Sequence, residues 1–142
     1  AHELIMKCLE VFSRELDGFQ AGESSFNFPF NASNGELEDF LKPLVRGVRT
    51  GGPAVNPLPY KDQFRLTCIS RGPENIDEHL EQSISDLLQM PSGWLIYNTH
   101  GLDDEGWGPL SSSCLDELLS KLTEMDHVAV LPVGIALESV SM

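Results

Sequence analysis

The sequence predicts an α/β fold in which mostly parallel strands alternate with helices. Two observations predict it: short apolar runs typical of strands recur along the chain, and segments with apolar residues at helical spacing separate them. Such strand–helix–strand units join parallel strands through right-handed crossovers. The length of 142 residues suits one domain, and no repeat or linker divides the chain, so we expect a single domain over 1–142.

The first half of the chain is predicted to contain two helices and three strands. Apolar residues at helical spacing begin at Leu4, and Asp17-Gly18 supplies a stop. Phenylalanines then alternate with polar residues as far as Pro29, which cannot donate to a sheet and should stand at the strand's end. The predicted elements are helices over 3–17 and 36–41, strands over 26–30, 44–50 and 63–70, a turn over 31–35 and an irregular loop over 51–60.

The second half is predicted to contain two strands and three helices. Isoleucines and leucines mark one face of a helix that ends before Pro91, and the serines at 111–113 are typical of a helix N-terminus. The predicted elements are a helix from Ile76 that ends before Pro91, strands over 94–99 and 127–133, a polar loop over 100–110, a helix after the serines that bears Leu115, Leu118, Leu119 and Leu122, and a short helix from Gly134.

Composition excludes several classes of partner. The formal charge of −13, from 9 basic and 22 acidic residues, repels nucleic acid and anionic lipid. No stretch approaches the roughly 18 apolar residues of a membrane span, and no signal peptide opens the chain. The three cysteines are far apart and form no C-x-x-C pair, which argues against a disulfide framework or a zinc knot. We therefore expect no nucleic acid, no membrane and a cytoplasmic location.

The loop over 100–109 is the most informative candidate site. In parallel α/β folds ligands bind beyond the carboxyl ends of the strands, and His100 directly follows an apolar strand. Its imidazole can exchange protons near neutral pH, and a carboxylate such as Asp103 can fix its tautomer. The alternatives are a His100 bonded only to backbone, Asp103 and Asp104 as turn residues, and Trp107 as a lid over the core instead of a platform for a sugar.

The segment Gly93-Trp94-Leu95-Ile96-Tyr97-Asn98-Thr99-His100-Gly101 resembles the late strand and leucine-histidine motif of the NodB-like polysaccharide deacetylases. The pattern of Gly-Trp before Pro and then a serine-capped helix also fits one subgroup of that family. The resemblance implies an incomplete (β/α)7-type barrel. It further implies that His100 is the catalytic general acid and that Trp107 contacts the sugar.

Two further segments carry weaker resemblances to the same family. Phe28-Pro29-Phe30 resembles its Arg-x-Pro-Tyr motif, with Asn27 at the arginine position and Phe30 at the tyrosine position. This implies that Pro29 and Phe30 lie at the substrate and that backbone after the proline binds the oxyanion; core packing is the alternative for the phenylalanines. Arg49 resembles an arginine that orients an active-site carboxylate, and its alternative is a surface cation.

The metal site implied by the resemblance is incomplete. His2 resembles the second histidine of the family's His-Thr-x-x-His motif, which implies a divalent metal, zinc, in the complete domain. The family's Thr-Phe-Asp-Asp-Gly motif, which supplies the catalytic base and a metal-binding aspartate, has no match in the chain. We therefore expect a partial domain that lacks its N-terminal strands, and a chain that alone holds no metal is the alternative.

The resulting prediction is a metal-dependent hydrolase that removes acetyl groups from a carbohydrate and is inactive until the missing motif is supplied. A non-catalytic carbohydrate-binding or interaction module derived from the same fold is the alternative, and an unrelated α/β protein is a third. The missing strands would leave an open sheet edge, so we also expect self-association.

Overall fold

The computed structural model describes residues 1–52 and 54–140 and has the predicted α/β architecture. Its four strands form a sheet of order β1-β2-β3-β4, and the described strand pairs are parallel. None of the helices in the described part of the chain is long and apolar enough to cross a membrane. The strands are β1 (Ser25–Asn27), β2 (Gly47–Gly51), β3 (Leu66–Ser70) and β4 (Tyr97–Asn98). The helices are α1 (His2–Glu15), α2 (Gly35–Leu41), α3 (Ile76–Leu88), α4 (Ser112–Thr123) and α5 (Val133–Val140).

The chain divides into two compact units. The first consists of Ala1–Gly51, Pro59–Leu66 and Pro132–Met142, and the second consists of Gly52–Leu58 and Thr67–Leu131. In the first unit β1 pairs with β2, with Asn27 opposite Arg49. Helix α1 is amphipathic and buries Ile5 and Leu9 against this pair, because burial of its apolar face removes that face from water. The core of the first unit comprises Ile5, Leu9, Phe28, Leu41, Val45 and Val48.

The buried carboxylate of Glu38 links three segments of the first unit. The side chain of Glu38 on α2 accepts a hydrogen bond of 2.7 Å from the Ser33 hydroxyl and one of 2.8 Å from Nε of Arg65. The Ser33 hydrogen bond, helped by the Arg65 guanidinium, lowers the pKa of Glu38 below its ordinary value. The charged form of Glu38 therefore stabilises the fold.

Replacing Glu38 with glutamine is expected to destabilise the protein near neutral pH. Because the pKa of Glu38 is lower in the folded than in the unfolded chain, its stabilisation is present above the ordinary glutamate pKa. It is lost as the pH falls through the folded-state pKa. Urea unfolding at several pH values should show a difference in the free energy of unfolding between the wild type and Glu38→Gln, and this difference should disappear in acid. The exposed Glu10→Gln on α1 is the control, and a gap independent of pH would contradict the prediction.

The second unit is built on β3 and β4 with α3 and α4 packed together. Ile69 lies opposite Tyr97 in the parallel register of the two strands. Apolar residues at helical spacing give each of these helices one apolar face. The two faces pack against each other in one cluster. That cluster comprises Ile76, Leu80, Leu110 and Leu118.

The side chain of Asn56 replaces missing strand hydrogen bonds in the second unit. Its Nδ2 donates to the carbonyls of Thr67 and Trp94, at 2.9 and 3.2 Å, while Oδ1 accepts from the Thr67 amide at 2.8 Å and from its hydroxyl at 3.1 Å. The Asn56 backbone also exchanges both of its hydrogen bonds with Trp94. Only 5% of Asn56 is exposed, so one amide satisfies several groups away from water.

The structure overturns the predicted strand over 127–133. Residues 128–132 are irregular, and Val133 begins α5, while Val130 and Leu131 are 55% and 43% exposed. An apolar run becomes a strand only where a neighbour accepts its hydrogen bonds, and within residues 1–52 and 54–140 none pairs with this run. The predicted strand over 94–99 is also shorter, because Trp94 forms an antiparallel bridge with Asn56.

Candidate functional site

Two backbone hydrogen bonds close the base of the loop after β4, which we call its neck. The Leu110 amide donates to the Gly101 carbonyl at 3.1 Å, and the Asp103 amide donates to the Leu110 carbonyl at 2.9 Å. Leu110 is buried in the core of the second unit, so the neck is anchored by apolar packing as well. The residues between these anchors, 104–107, are exposed. The loop is therefore a fixed support with an open tip.

His100 and Trp107 stand side by side on this loop. Their ring centroids are 5.3 Å apart at an interplanar angle of 73°, the edge-to-face geometry that aromatic pairs prefer. His100 is exposed, and Trp107 is 61% exposed. A proton-exchanging ring thus lies beside a broad apolar ring, and a ligand can reach both from solvent. The second unit brings these two predicted site residues together.

Asp103 has a different contact from the predicted one. Its Oδ1 accepts a hydrogen bond of 2.8 Å from the amide of Ser112, the first residue of α4. This backbone hydrogen bond, with a second from the Ser112 side chain, lowers the pKa of Asp103. The carboxylate therefore satisfies a free amide at the start of the helix. Its described contact is with the Ser112 amide of α4, and its role beside the imidazole of His100 stays a prediction.

Ser111 stands at the N-cap position of α4, as predicted, but its side chain does not cap the helix. Its hydroxyl donates to Asp77 at the start of α3, and its amide donates to the same carboxylate at 2.9 Å. Asp77 thus ties the end of the loop to α3. The sequence interpretation missed Asp77, although its position in the first turn of a helix, where carboxylates are favoured, was a readable signal.

An open cleft of about 350 Å³ lies between the loop and the start of α3. Carboxylates and an amide dominate its polar lining, so the cleft repels anions and offers acceptors to hydroxyl groups. The carboxylates and the amide in this lining belong to Asp77, Glu78, Asp103 and Asn75. Next to this region, His79 on α3 lies 2.9 Å from the Tyr97 hydroxyl, and burial raises the pKa of Tyr97. His79 therefore joins α3 to β4.

Pro29 and Phe30 lie in the turn that follows β1 in the first unit. Phe28 is buried and Phe26 packs against the core, so the core alternative holds for these two phenylalanines. Phe30 is fully exposed and has a φ of 56°, in the left-handed region that L-residues avoid. A bulky ring in a strained conformation without burial is typical of a functional position. The substrate contact of Phe30 stays a prediction.

Arg49 and His2 make contacts within the first unit. Nε of Arg49 donates to Oδ1 of Asn27 at 2.9 Å, directly across the β1–β2 pair. The His2 ring stacks on Phe40 with centroids 4.1 Å apart, and its Nε2 lies 3.5 Å from Oε1 of Glu36. The role of Arg49 in orienting an active-site carboxylate stays a prediction.

The described residues do not fit a complete metal site. Within residues 1–52 and 54–140, no group of three or more histidine, cysteine, aspartate or glutamate side chains is arranged to hold a metal ion. His2 with Glu36 offers two donors, fewer than the four of a typical zinc site. The role of His2 as a ligand remains a prediction for the complete domain, and no step below is assigned to a metal on this chain.

Comparison of the chain with protein-family models, with curated proteins and with solved structures found no match.

Proposed function

We propose that this chain is part of a NodB-like deacetylase domain, with a partial (β/α)7-type barrel, and that His100 is the general acid that releases an acetyl group from a carbohydrate. The observation that carries the proposal is the open pair of His100 and Trp107 on a pinned loop at the carboxyl end of a parallel strand. Ligand sites of parallel α/β folds lie at this end of the strands.

The chemistry requires a proton donor at the leaving group. Water attacks the acetyl carbonyl, and the tetrahedral intermediate collapses when the bond from carbon to the sugar nitrogen or oxygen breaks. The departing atom takes a proton, which protonated His100 donates, and the products are acetate and a free amine or hydroxyl. In the complete domain the resemblance assigns activation of the water to a metal and residues outside this chain. His100 and the sugar contacts are this chain's contribution.

The exposed Trp107 and the cleft that Asp103 helps to line both favour a neutral sugar. The exposed indole of Trp107 offers an electron-rich face to the apolar C–H face of a pyranose ring. The acceptors of the cleft, including Glu78 and Asn75, suit sugar hydroxyls. With a net charge of −13, the chain disfavours an anionic polymer. We therefore assign the substrate to the class of neutral acetylated oligosaccharides, and the resemblance assigns Pro29 and Phe30 to the same substrate.

Replacing His100 with alanine is expected to lower deacetylation sharply in the natural protein that carries the complete domain. Loss of a general acid lowers kcat by roughly 10²–10⁴-fold. Acetate release from the N-acetylglucosamine tetramer and from O-acetylated xylan measures the effect and separates the two linkages. Binding of the tetramer should change little, because Trp107 remains. The matched control is His127→Ala, which removes an exposed histidine away from this loop.

Unchanged acetate release in His100→Ala would remove His100 from the mechanism. Two results together would favour the non-catalytic module. The complete wild-type domain would release no acetate, and the chain would bind the tetramer in a way that Trp107→Ala abolishes.

A further inference from the structure

Trp107 is fixed at two places although most of its surface faces solvent. One contact is the edge-to-face pair with His100. The other is with Gly72, in the turn between β3 and α3, where a Cβ atom would lie 3.2 Å from Cη2 of the indole and 3.6 Å from Cζ2. Exposing a tryptophan forgoes the burial of a large apolar surface. An indole that is anchored and still 61% exposed is suited to contact a ligand.

The backbone at residue 72 does not itself require glycine, since its φ lies outside the left-handed region. The three heavy atoms nearest to a Cβ at this position all belong to the indole of Trp107. Because residue 72 has no side chain, the six-membered ring of Trp107 can lie close to its backbone. A Cβ atom there requires the indole to shift by a few tenths of an ångström, and a larger side chain requires more.

We propose that Gly72 is a positioning residue for sugar binding, because it forms the seat that holds Trp107 beside His100. The inference rests on the function proposed above and deepens it by naming the residue that positions the indole face for a neutral acetylated sugar ring. With the indole seated, a pyranose stacked on it lies next to the imidazole. With the indole displaced, the sugar loses its stacking surface while the imidazole stays on its pinned loop.

The test uses a graded series, Gly72→Ala and Gly72→Val, in the wild-type and Trp107→Phe backgrounds. Alanine requires a shift of a few tenths of an ångström, and valine requires more. Phenylalanine lacks the six-membered indole ring whose atoms approach residue 72, so the valine should have no effect in that background. Affinity for the N-acetylglucosamine tetramer is measured by titration of this chain. The sequence contains two tryptophans, so its NMR spectrum has two indole N–H signals, and Trp107→Phe identifies the one from Trp107.

Gly72→Val is expected to weaken tetramer binding about twofold to tenfold, the range of one lost aromatic contact, and Gly72→Ala less. The indole N–H signal of Trp107 should shift, and its contact with the His100 ring should disappear from proton–proton NMR. In the complete domain KM should rise by the same factor while kcat stays within about twofold, the pattern of lost ground-state binding. In the Trp107→Phe background the valine should change neither KM nor affinity.

Three outcomes would overturn the inference: unchanged affinity in Gly72→Val, an equal loss in both backgrounds, or no binding of the tetramer by the unmodified chain. The result for the proposed function is separate, since it depends on acetate release in His100→Ala. Weakened binding in Gly72→Val together with full turnover in His100→Ala would keep the sugar seat and reject the acid role.

Discussion

Replacing Gly106 with alanine is expected to disrupt the loop that carries His100 and Trp107. Gly106 has a φ of 81°, and a Cβ atom at this position would overlap the carbonyl oxygen of His100. Both groups belong to the backbone, so no change of rotamer relieves the clash. The left-handed conformation alone costs a non-glycine residue about 1–2 kcal/mol, and the overlap adds to it. The loop must therefore rearrange at the point where it passes His100.

The effect should be local and functionally severe. The apolar cluster of α3 and α4 does not include Gly106, so circular dichroism should show retained helices. The indole N–H signal of Trp107 should move toward its position in an unfolded peptide. Acetate release should fall at least as far as in His100→Ala. The control is Gly35→Ala, at an open position at the start of α2, where a Cβ meets nothing within 4 Å. Native indole shifts in Gly106→Ala would contradict the prediction.

Replacing Asn56 with alanine is expected to lower the free energy of unfolding by about 3 kcal/mol, because buried polar groups lose their partners at once. The Thr67 amide and the carbonyls of Thr67 and Trp94 each lose a hydrogen bond to the Asn56 side chain. No methyl group can replace these bonds. Strand β3 and the segment before β4 are then joined by fewer contacts on this side.

Aspartate provides a sharper variant at the same position. Asn56→Asp keeps acceptors for the Thr67 amide and hydroxyl but presents oxygen in place of the Nδ2 donor to two carbonyls. It should be at least as unstable as the alanine variant near neutral pH. The midpoint of urea unfolding measures both. Gln82→Ala is the control, since that exposed amide donates to Asp86 on the same helix and its loss should change the free energy of unfolding by less than about 0.5 kcal/mol. A midpoint for Asn56→Ala equal to that of the control would contradict the prediction.

The alternation of strands and helices was readable in advance because it depends on local periodicity. Helices α1, α3 and α4 carry apolar faces at helical spacing, and the structure confirms that all three are helices. The run over 127–133 has the same apolar character as a strand but no pairing partner among the described residues, so it is irregular. Periodicity shows which face can be buried, whereas pairing depends on a neighbour that is distant in sequence.

The candidate site shows the same division. The position of His100 after a strand was readable, because loops beyond strand ends follow from element order. Its edge-to-face contact with Trp107 was not, since it depends on how the loop folds back at its neck. The capping contact of Asp103 was not readable either, since it depends on the position of the Ser112 amide.

By itself, the sequence determined the α/β class, the existence of helices α1, α3 and α4, and the loop that carries His100, because each follows from neighbours along the chain. Only the tertiary structure decided that Trp107 lies on Gly72, that Asn56 satisfies Thr67 and Trp94, and that residues 128–132 form no strand. These features depend on contacts between residues far apart in sequence. Their free energy comes from packing and hydrogen bonds that no local pattern encodes.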